Sequence, residues 1–454
     1  MCAGQQTVNE RINGRANMMK PKGLLPAILV ALWSTGWGTG VASGQELGIY
    51  GYTKWFAHPN LNAPYHFDRL GTRLQLNFSK QAGERLSFFS ALDFNFEDSQ
   101  ETGLAEERRS AAMQVYPVET YIDYYSSRMD VRVGKQFIFW GTTDWINPTD
   151  NINPWDYKNI SAEIEDYRIP VNAAKLDLYL GESRLEGVAV FHFLPNKVPL
   201  RFPEKMGGLP VEVRPAQLPE SKVSNIELGM RFSSQIGLLD YSLSYFHGFA
   251  KFPSVIFQPI FHNYLPGPVG IAVLPRYDRI QVFGADFVTT RGKFALKGEG
   301  AYFRTKDAAG NDPFIENPHV QYVLGIDYYP RNELTLNFQF VQLVRLRYSA
   351  AEERESWKRL GMPEEQIRVP EKEEKSVSAR IQFQPFDFGS VQLIGVVNLR
   401  DRDFFLLPIF NYQIADGVDV YCGATLFRGP ADSPFGRNKS YSRAFVEVKY
   451  SFAY

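Results

Sequence analysis

The segment Ala444–Tyr454 has the sequence AFVEVKYSFAY and shows most clearly how this chain folds. Side chains of a β-strand alternate between its two faces. Glu447 and Lys449 therefore share one face, while the other face is apolar or aromatic throughout: Val446, Val448, Tyr450, Phe452 and Tyr454. A charged side chain facing lipid near the bilayer midplane costs roughly 2–4 kcal/mol. The pattern predicts a strand whose apolar face contacts lipid and whose charged face contacts water.

The same unit of about ten residues recurs along the chain, and we count about eighteen such runs. Short polar turns alternate with long loops between the runs, which is typical of an outer-membrane barrel with periplasmic turns and external loops. We predict an all-β fold, a transmembrane antiparallel up-and-down β-barrel of about 18 strands. Pro408 interrupts the sixteenth run, so 16 strands is the alternative. The runs begin near Leu47, Leu70, Arg85, Val115, Met129, Ala173, Arg184, Asn225, Leu239, Arg279, Lys293, Val320, Leu334, Ser376, Val391, Phe404, Val418 and Ser442.

Two charged residues do not fit the alternation. Lys135 shares its parity with the apolar Val133, and Asp286 shares its parity with the apolar Val282. A charged side chain on an apolar face requires either a β-bulge or a position at the membrane interface. We expect one of these at each site.

The first 44 residues have the features of an exported leader. Leu24–Trp33 is apolar and follows Lys20, but it is too short for a transmembrane helix of about 20 residues. Small residues precede Gln45, where we place the mature start. Residues 45–454 then form the barrel, and the true translation start is Met18 or Met19 as an alternative to Met1.

Composition narrows the function classes. The chain has 49 basic and 50 acidic residues, of which the leader holds four and one, so the mature chain carries a net charge of −4. No basic patch indicates nucleic-acid binding. Aromatic residues make up 15% of the chain, yet no segment after the leader is a membrane-spanning apolar helix. We predict no cofactor and no metal, because the acidic loop residues lack the spacing of a calcium loop.

The terminal aromatic strand resembles the C-terminal signal that the barrel-assembly machinery of Gram-negative bacteria recognises. A second resemblance lies in Val131–Tyr157, VRVGKQFIFWGTTDWINPTDNINPWDY. Its Gly-Lys-Gln strand end, its Trp-Gly pair and its two Asn-Pro turns resemble a poorly characterised set of outer-membrane porin-like proteins, related in style to alginate-export channels. The resemblance implies a porin-like barrel and no particular solute.

The loop Gly141–Val171 is the candidate constriction. Long loops of porins commonly fold into the lumen, and carboxylates, amides and indole rings there would select what passes. The alternative is that the Asn-Pro turns and tryptophans only fold the loop and anchor it at the interface. The candidates are Asp144, Trp145, Asn147, Asp150, Asn151, Asn153, Trp155 and Asp156. We expect the three carboxylates to lower anion passage.

Polar residues of the inward parity form the predicted pore lining. Their charges have both signs, which suits a wet pore with weak ion preference, because strong selectivity needs rings of one sign. The alternative is that opposite charges on neighbouring strands pair and only solvate the wall. The candidates are Arg73, Asp93, Glu119, Asp123, Arg132, Gln136, Lys175, Asp177, Glu227, Arg231, Lys297, Glu299, Asp327 and Arg380.

Two other loops have distinct compositions. The apolar loop Phe249–Pro275 is expected to fold inward, to contact another subunit, or to pack on neighbouring loops. The charged loop after the thirteenth run predicts a short helix capped by Ser349 with Glu352 and ended by Gly361.

These features together predict a passive outer-membrane channel for small hydrophilic solutes. A channel specific for saccharides or hydrophobic compounds, and a closed barrel that works in adhesion or assembly, are the alternatives. Six scattered histidines, including His192 and His247, lack the spacing of a catalytic triad, so we expect no enzyme. The first run begins close to Gln45, so we expect no plug-bearing energised transporter. Expected partners are membrane lipid, lipopolysaccharide, the assembly machinery at Tyr454, and a second copy in a homo-oligomer.

Overall fold

The computed structural model describes residues 47–453 except 64, 103–106, 164–165, 201, 203, 263, 265, 360–361, 363 and 365–366. The predicted leader, Gly361 and Tyr454 lie outside the described residues. The strands are β1 Gly48–Pro59, β2 Phe67–Ala82, β3 Leu86–Thr102, β4 Glu107–Tyr125, β5 Met129–Gln136, β6 Val171–Leu180, β7 Ser183–Val190, β8 Lys205–Met206, β9 Leu209–Val213, β10 Glu227–Ile236, β11 Leu239–Phe249, β12 Ser254–Phe261, β13 Pro268–Arg276, β14 Arg279–Arg291, β15 Phe294–Arg304, β16 His319–Arg331, β17 Leu334–Arg345, β18 Glu373–Phe386, β19 Gly389–Asn398, β20 Phe404–Ala415, β21 Val418–Arg428 and β22 Arg443–Ala453.

Eighteen of these strands form one antiparallel sheet that closes into a barrel. Closure occurs where the first strand pairs with the last, from Tyr50 opposite Ala453 to Ala57 opposite Val446. A closed sheet leaves no unpaired edge, which a membrane-spanning sheet requires. The predicted fold class is therefore confirmed with 18 strands.

The predicted strand starts agree with the structure within three residues at every strand but one. β4 begins at Glu107, eight residues before the predicted start at Val115, because it continues to pair with a long β3. The alternative of 16 strands is wrong. Pro408 lies within β20 and pairs with Leu393 of β19, so the proline interrupts the pairing only toward β21.

The two faces of the wall follow the predicted alternation. Leu228 and Met230 of β10 are exposed on the outside, whereas Glu227 is fully buried inside. In the last strand, Val446 and Tyr450 are exposed on the outer face and Glu447 is buried on the inner one. The outer surface is therefore apolar, and the charged side chains lie within the barrel.

The structure explains both irregular charges. Lys135 lies near the end of β5, and its ammonium donates to the Pro117 carbonyl at 2.6 Å, beside a β-bulge in the pairing of β3 with β4. The expected bulge or interface position at Asp286 was wrong. β14 has an unbroken register, and Asp286 faces inward with Val282, which is covered by a loop inside the barrel.

The long connections lie at one end of the barrel, which we call the long-loop end, and the tight turns lie at the short-turn end. At the long-loop end, β12, β13, β9 and β8 form a separate four-stranded sheet. The ring of Phe257 in that sheet lies 5.1 Å from that of Trp357, so the apolar Phe249–Pro275 loop packs on neighbouring loops. Trp357 belongs to helix α1, Ala350–Arg359, which begins where Glu352 N donates to Ser349 Oγ at 3.4 Å. Short 3₁₀ turns occur at Val223–Asn225 and Gly436–Tyr441. None of the helices in the described residues is long and apolar enough to cross a membrane.

Candidate functional site

Residues 137–170 connect β5 to β6, and we call this connection the inward loop because its described residues, 137–163 and 166–170, lie inside the barrel. Two buried amides hold its ends together. Gln136 Nε2 donates to the Ala173 carbonyl at 2.9 Å. Asn153 Oδ1 accepts from Ile138 N at 2.7 Å, and Asn153 Nδ2 donates to the Ile169 carbonyl at 2.8 Å. The loop therefore leaves the end of β5, enters the lumen and returns to the start of the neighbouring strand β6.

Glu299 on the inner face of β15 is the first anchor of the inward loop. Its carboxylate accepts from Thr142 N at 3.0 Å, from Thr143 N at 3.2 Å and from Thr149 N at 2.8 Å. The hydroxyls of Thr143 and Thr149 each donate to it at 2.8 Å. Bonds of this kind, to an ionised acceptor, are about twice as strong as neutral ones. Five donors on one buried carboxylate fix the first half of the loop.

The Trp-Gly pair of the sequence motif is part of this anchor. Trp140 is buried, and its Nε1 donates to Glu186 on β7 at 2.5 Å. Gly141 has φ +89°, and a Cβ at this position would lie 2.6–2.9 Å from the Glu299 carboxylate. Only glycine accommodates both the backbone conformation and the close approach.

Asp144 extends the contact to the next strands. Its carboxylate lies 2.6 Å from Lys297 Nζ on β15 and accepts from Asn337 and Gln339 of β17, each at 2.8 Å. Arg380 of β18 lies 3.5 Å away. Asp144 therefore contacts four residues of the wall. Of the three predicted constriction carboxylates, Asp144, Asp150 and Asp156, it is the one that faces the barrel wall.

The far part of the inward loop is held by charges on the opposite side of the barrel. Lys54 of β1 lies 2.5 Å from Glu163 and 2.7 Å from Asp166. Arg73 of β2 lies 2.6 Å from Asp166, and Lys449 of β22 lies 2.6 Å from Glu163. We call these five residues the distal clamp. In the order of the sheet, β15 and β1 are on opposite sides, so the loop crosses the lumen.

Burial within the distal clamp opposes ionisation of Asp166. The adjacent Lys54 ammonium and Arg73 guanidinium outweigh this effect and hold the pKa of Asp166 well below its usual value of 3.8. The carboxylate therefore stays charged at neutral pH.

Apolar packing fills the space beneath the loop. Ile152 of the loop joins Val188, Phe246 and Val282 of the wall in one buried cluster. Trp145 packs at the edge of a second cluster, with its ring centroid 6.0 Å from that of Phe405 on β20. Inward-facing apolar residues on the wall are thus covered by the loop instead of by water.

Two of the predicted constriction carboxylates are structural. Asp150 is ion-paired with Arg168, and both side chains are buried. Burial raises the pKa of Asp150 to about 6, against the opposing effect of Arg168. Asp156 is buried 3.1 Å from Lys197. The idea that these two carboxylates repel anions from the lumen loses its basis, because their charges are neutralised within the loops.

The predicted pore lining consists largely of ion pairs in which the cation is the more exposed partner. Arg132 is 27% exposed and its partner Asp123 only 6%. Asp177 is 7% exposed, whereas its partner Arg184, which was not predicted, is 39% exposed. The same order holds for Arg73 with Asp93, Lys175 with Asp177, and Arg231 with Asp286. Lys297 and Asp327 are both buried. The remaining predicted residues also have partners: Glu227 lies 2.7 Å from Lys251, and Glu119 accepts from Phe137 N at 3.1 Å.

Comparisons with known proteins agree with this architecture. The model of a family described as "Protein of unknown function (DUF1302)" matches residues 65–351, which include the inward loop. The chain belongs to the DUF1302 family. No curated protein matches this sequence.

Solved structures show the fold of this DUF1302 chain. OccK5 (OpdH) of Pseudomonas aeruginosa is similar with a TM-score of 0.53 and 9% identity, over 90% of this chain and 99% of its own. OccAB3 of Acinetobacter baumannii has a TM-score of 0.51 and 10% identity, over 90% and 100%. OccAB4 of the same organism has a TM-score of 0.52 and 10% identity, over 91% and 100%. This member of the DUF1302 family thus has the β-barrel fold of these structures, which is the fold that the motif resemblance implied.

The structure brings the eight predicted loop residues of this DUF1302 chain together inside the barrel. Asn147 accepts from the Thr143 hydroxyl and Asn151 Nδ2 donates to the Pro148 carbonyl at 2.8 Å, so the first Asn-Pro turn folds the loop on itself. The second turn does so through the bonds of Asn153. The anchoring roles of Glu163 and Lys54 were missed. The alternation in β1 places Lys54 inward, so extending the parity argument to that strand would have singled it out.

The histidines of the DUF1302 chain do not form a triad. His192 Nδ1 lies 2.6 Å from Ser221 Oγ, but the described residues place no carboxylate beside this histidine to orient it. His247 faces Arg279 Nη1 at 3.2 Å. The described residues also contain no group of three metal-binding acidic, histidine or cysteine side chains.

Proposed function

We propose that this protein is a passive outer-membrane channel of a Gram-negative bacterium, in which the inward loop narrows the lumen for small water-soluble solutes. One observation carries the proposal: the loop is bonded to Glu299 on one side of the barrel and to Lys54 on the other. Because the inward loop is bonded to opposite sides of the barrel, it spans the lumen and narrows it. A barrel of 18 strands is wide enough for an aqueous channel around such a loop.

We further propose a weak preference for anions. The solute meets the exposed partner of each wall ion pair, and in most pairs that partner is an arginine or lysine. The buried carboxylates neutralise the net charge but contribute less to the potential inside the lumen. This reverses the expectation drawn from the loop carboxylates alone.

Planar-bilayer recordings of the purified protein test both proposals. We expect stable ion conductance and, in a KCl gradient, a reversal potential on the anion-selective side. Replacing both Arg132 and Arg184 by Gln should move the reversal potential toward cations, since it removes two of the more exposed cations of the wall. Arg214→Gln, on the external sheet, is the matched control and should leave it unchanged.

A closed barrel that binds a partner through its external loops is the second candidate. The four-stranded sheet at the long-loop end supports it. A protein that inserts as a heat-modifiable β-rich barrel yet shows no conductance would favour this candidate and refute the channel. Insertion by the assembly machinery and self-association are parts of the proposal that cell fractionation and cross-linking would examine.

A further inference from the structure

A chamber of about 370 Å³ lies between the inward loop and the long-loop end, and we call it the vestibule. The inward loop forms its floor, with Trp145, Trp155 and Tyr167. Residues of β14–β17 near the long-loop end and three external loops form its walls, which include Phe303 and Phe252. This volume is within the range of small-molecule sites, about 300–1,000 Å³.

Aromatic rings make up much of the vestibule surface. Trp145 stacks on Tyr167 with ring centroids 6.3 Å apart, and Trp155 lies 5.8 Å from the same tyrosine. Across the chamber, Tyr157 and Phe252 stack at 5.5 Å. Ring faces of this kind bind apolar rings and the carbon faces of sugars.

The polar groups of the vestibule are mostly used by the protein itself. Asp150 is paired with Arg168, and Lys251 lies 2.7 Å from the buried Glu227, so neither charge is available. Asn196 Oδ1 accepts from Trp155 N at 2.8 Å, and the side-chain amides of Asn151 and Asn153 donate to the loop backbone. A sugar needs many hydrogen bonds and would find few here, whereas an uncharged apolar compound loses little on entry.

Two described residues of the lining, Asp150 and Thr305, have a buried oxygen without a hydrogen-bond partner, and Asp150 is already ion-paired through its other oxygen. Glu316 is the half-exposed carboxylate of the lining and lies 3.7 Å from His319. Thr305 is uncharged and 7% exposed, and its Oγ1 is the hydroxyl of the lining that lacks a partner in the described part of the protein. A buried hydroxyl without a partner is unfavourable by about 1–3 kcal/mol. A polar group on a bound molecule would satisfy it.

We propose that the vestibule binds an uncharged, mainly apolar ring compound with one hydroxyl or carbonyl group, and that Thr305 forms a hydrogen bond to this group. The inference rests on the proposed channel function and deepens it, because it names the class of solute that the channel recognises. Ions pass through the water-filled part of the lumen, whereas this solute binds in the vestibule before it passes the inward loop.

Tryptophan-fluorescence titrations of the mature protein in detergent test the proposal, with 2-naphthol, naphthalene and maltose as probes and protein-free micelles as the partition blank. We expect saturable binding of 2-naphthol and naphthalene but not of maltose. Thr305→Val keeps the shape of the side chain and should weaken 2-naphthol binding roughly fivefold, the value of one hydrogen bond, without changing naphthalene binding. Thr290→Val, on an exposed site at the short-turn end, should bind like the unmodified protein.

Three results would overturn the proposal: saturable binding of maltose alone, 2-naphthol uptake no greater than in protein-free micelles, or equal 2-naphthol affinity in the Thr305 and Thr290 variants. The titration requires no ion flow. A protein that binds 2-naphthol but does not conduct would refute the channel and keep the binding site. A protein that conducts ions but does not bind 2-naphthol would refute the binding site and keep the channel.

Discussion

Glu299→Gln should release the first half of the inward loop while leaving the barrel intact. One oxygen of the carboxylate accepts from three donors and the other from two. An amide can replace only one oxygen as an acceptor, so at least one buried N–H, such as that of Thr149, loses its partner at a cost of about 1–3 kcal/mol. The surviving bonds lose their ionic character, which roughly halves their strength. We expect docking of the loop to weaken by about 3–5 kcal/mol in total.

Two measurements separate loop release from misfolding. Heat-modifiable migration should be unchanged, because the hydrogen bonds between strands do not involve the Glu299 side chain. Single-channel recordings should show larger and noisier conductance, and limited proteolysis should cut between residues 142 and 168. Glu373→Gln, a half-exposed residue on β18, is the matched control. Conductance and proteolysis identical in the two variants would show that Glu299 does not hold the loop.

Further predictions concern the same loop. Gly141→Ala should loosen the loop as Glu299→Gln does, and the double variant should add little, because both changes remove one anchor; additive effects in the same recordings would contradict this. The depressed pKa of Asp166, which Lys54 maintains against the effect of burial, stabilises the docked loop above pH 3.8 and ceases to do so as the pH falls further. Channel noise should therefore stay constant from pH 7 to about 4 and rise below it, and a rise already near pH 6 would argue against the distal clamp. Asp150→Asn should leave the reversal potential unchanged, because the charge of Asp150 is neutralised by Arg168 within the protein; a clear shift in selectivity would show that it faces the pore.

The sequence alone was sufficient to predict the strands of the wall and their two faces, whereas their number was narrowed only to 18 or 16 and was settled by the closed sheet. Lipid outside and water inside impose period-2 alternation on every strand, and a charge on the wrong face is costly, so the pattern is readable in segments such as Ala444–Tyr454. The boundary error at β4 arose because that strand extends beyond the membrane-like pattern, where alternation is no longer imposed. Asp286 was misjudged for the opposite reason, since Val282 is apolar on the inner face only where the inward loop covers it.

The candidate site was located by its motif, but its chemistry was decided by tertiary contacts. Composition showed that the loop carries carboxylates, yet whether each one faces solute or a partner depends on tertiary contacts. Some of these join residues more than a hundred positions apart, such as Lys297 with Asp144 and Lys54 with Glu163. Asp144 and Asp150 look alike in the sequence, but one meets the wall and the other is paired with Arg168. The sequence also did not show which sign of charge is exposed to the lumen. That sign depends on how deeply each partner of an ion pair is buried, and burial is a property of the closed barrel with its loop in place.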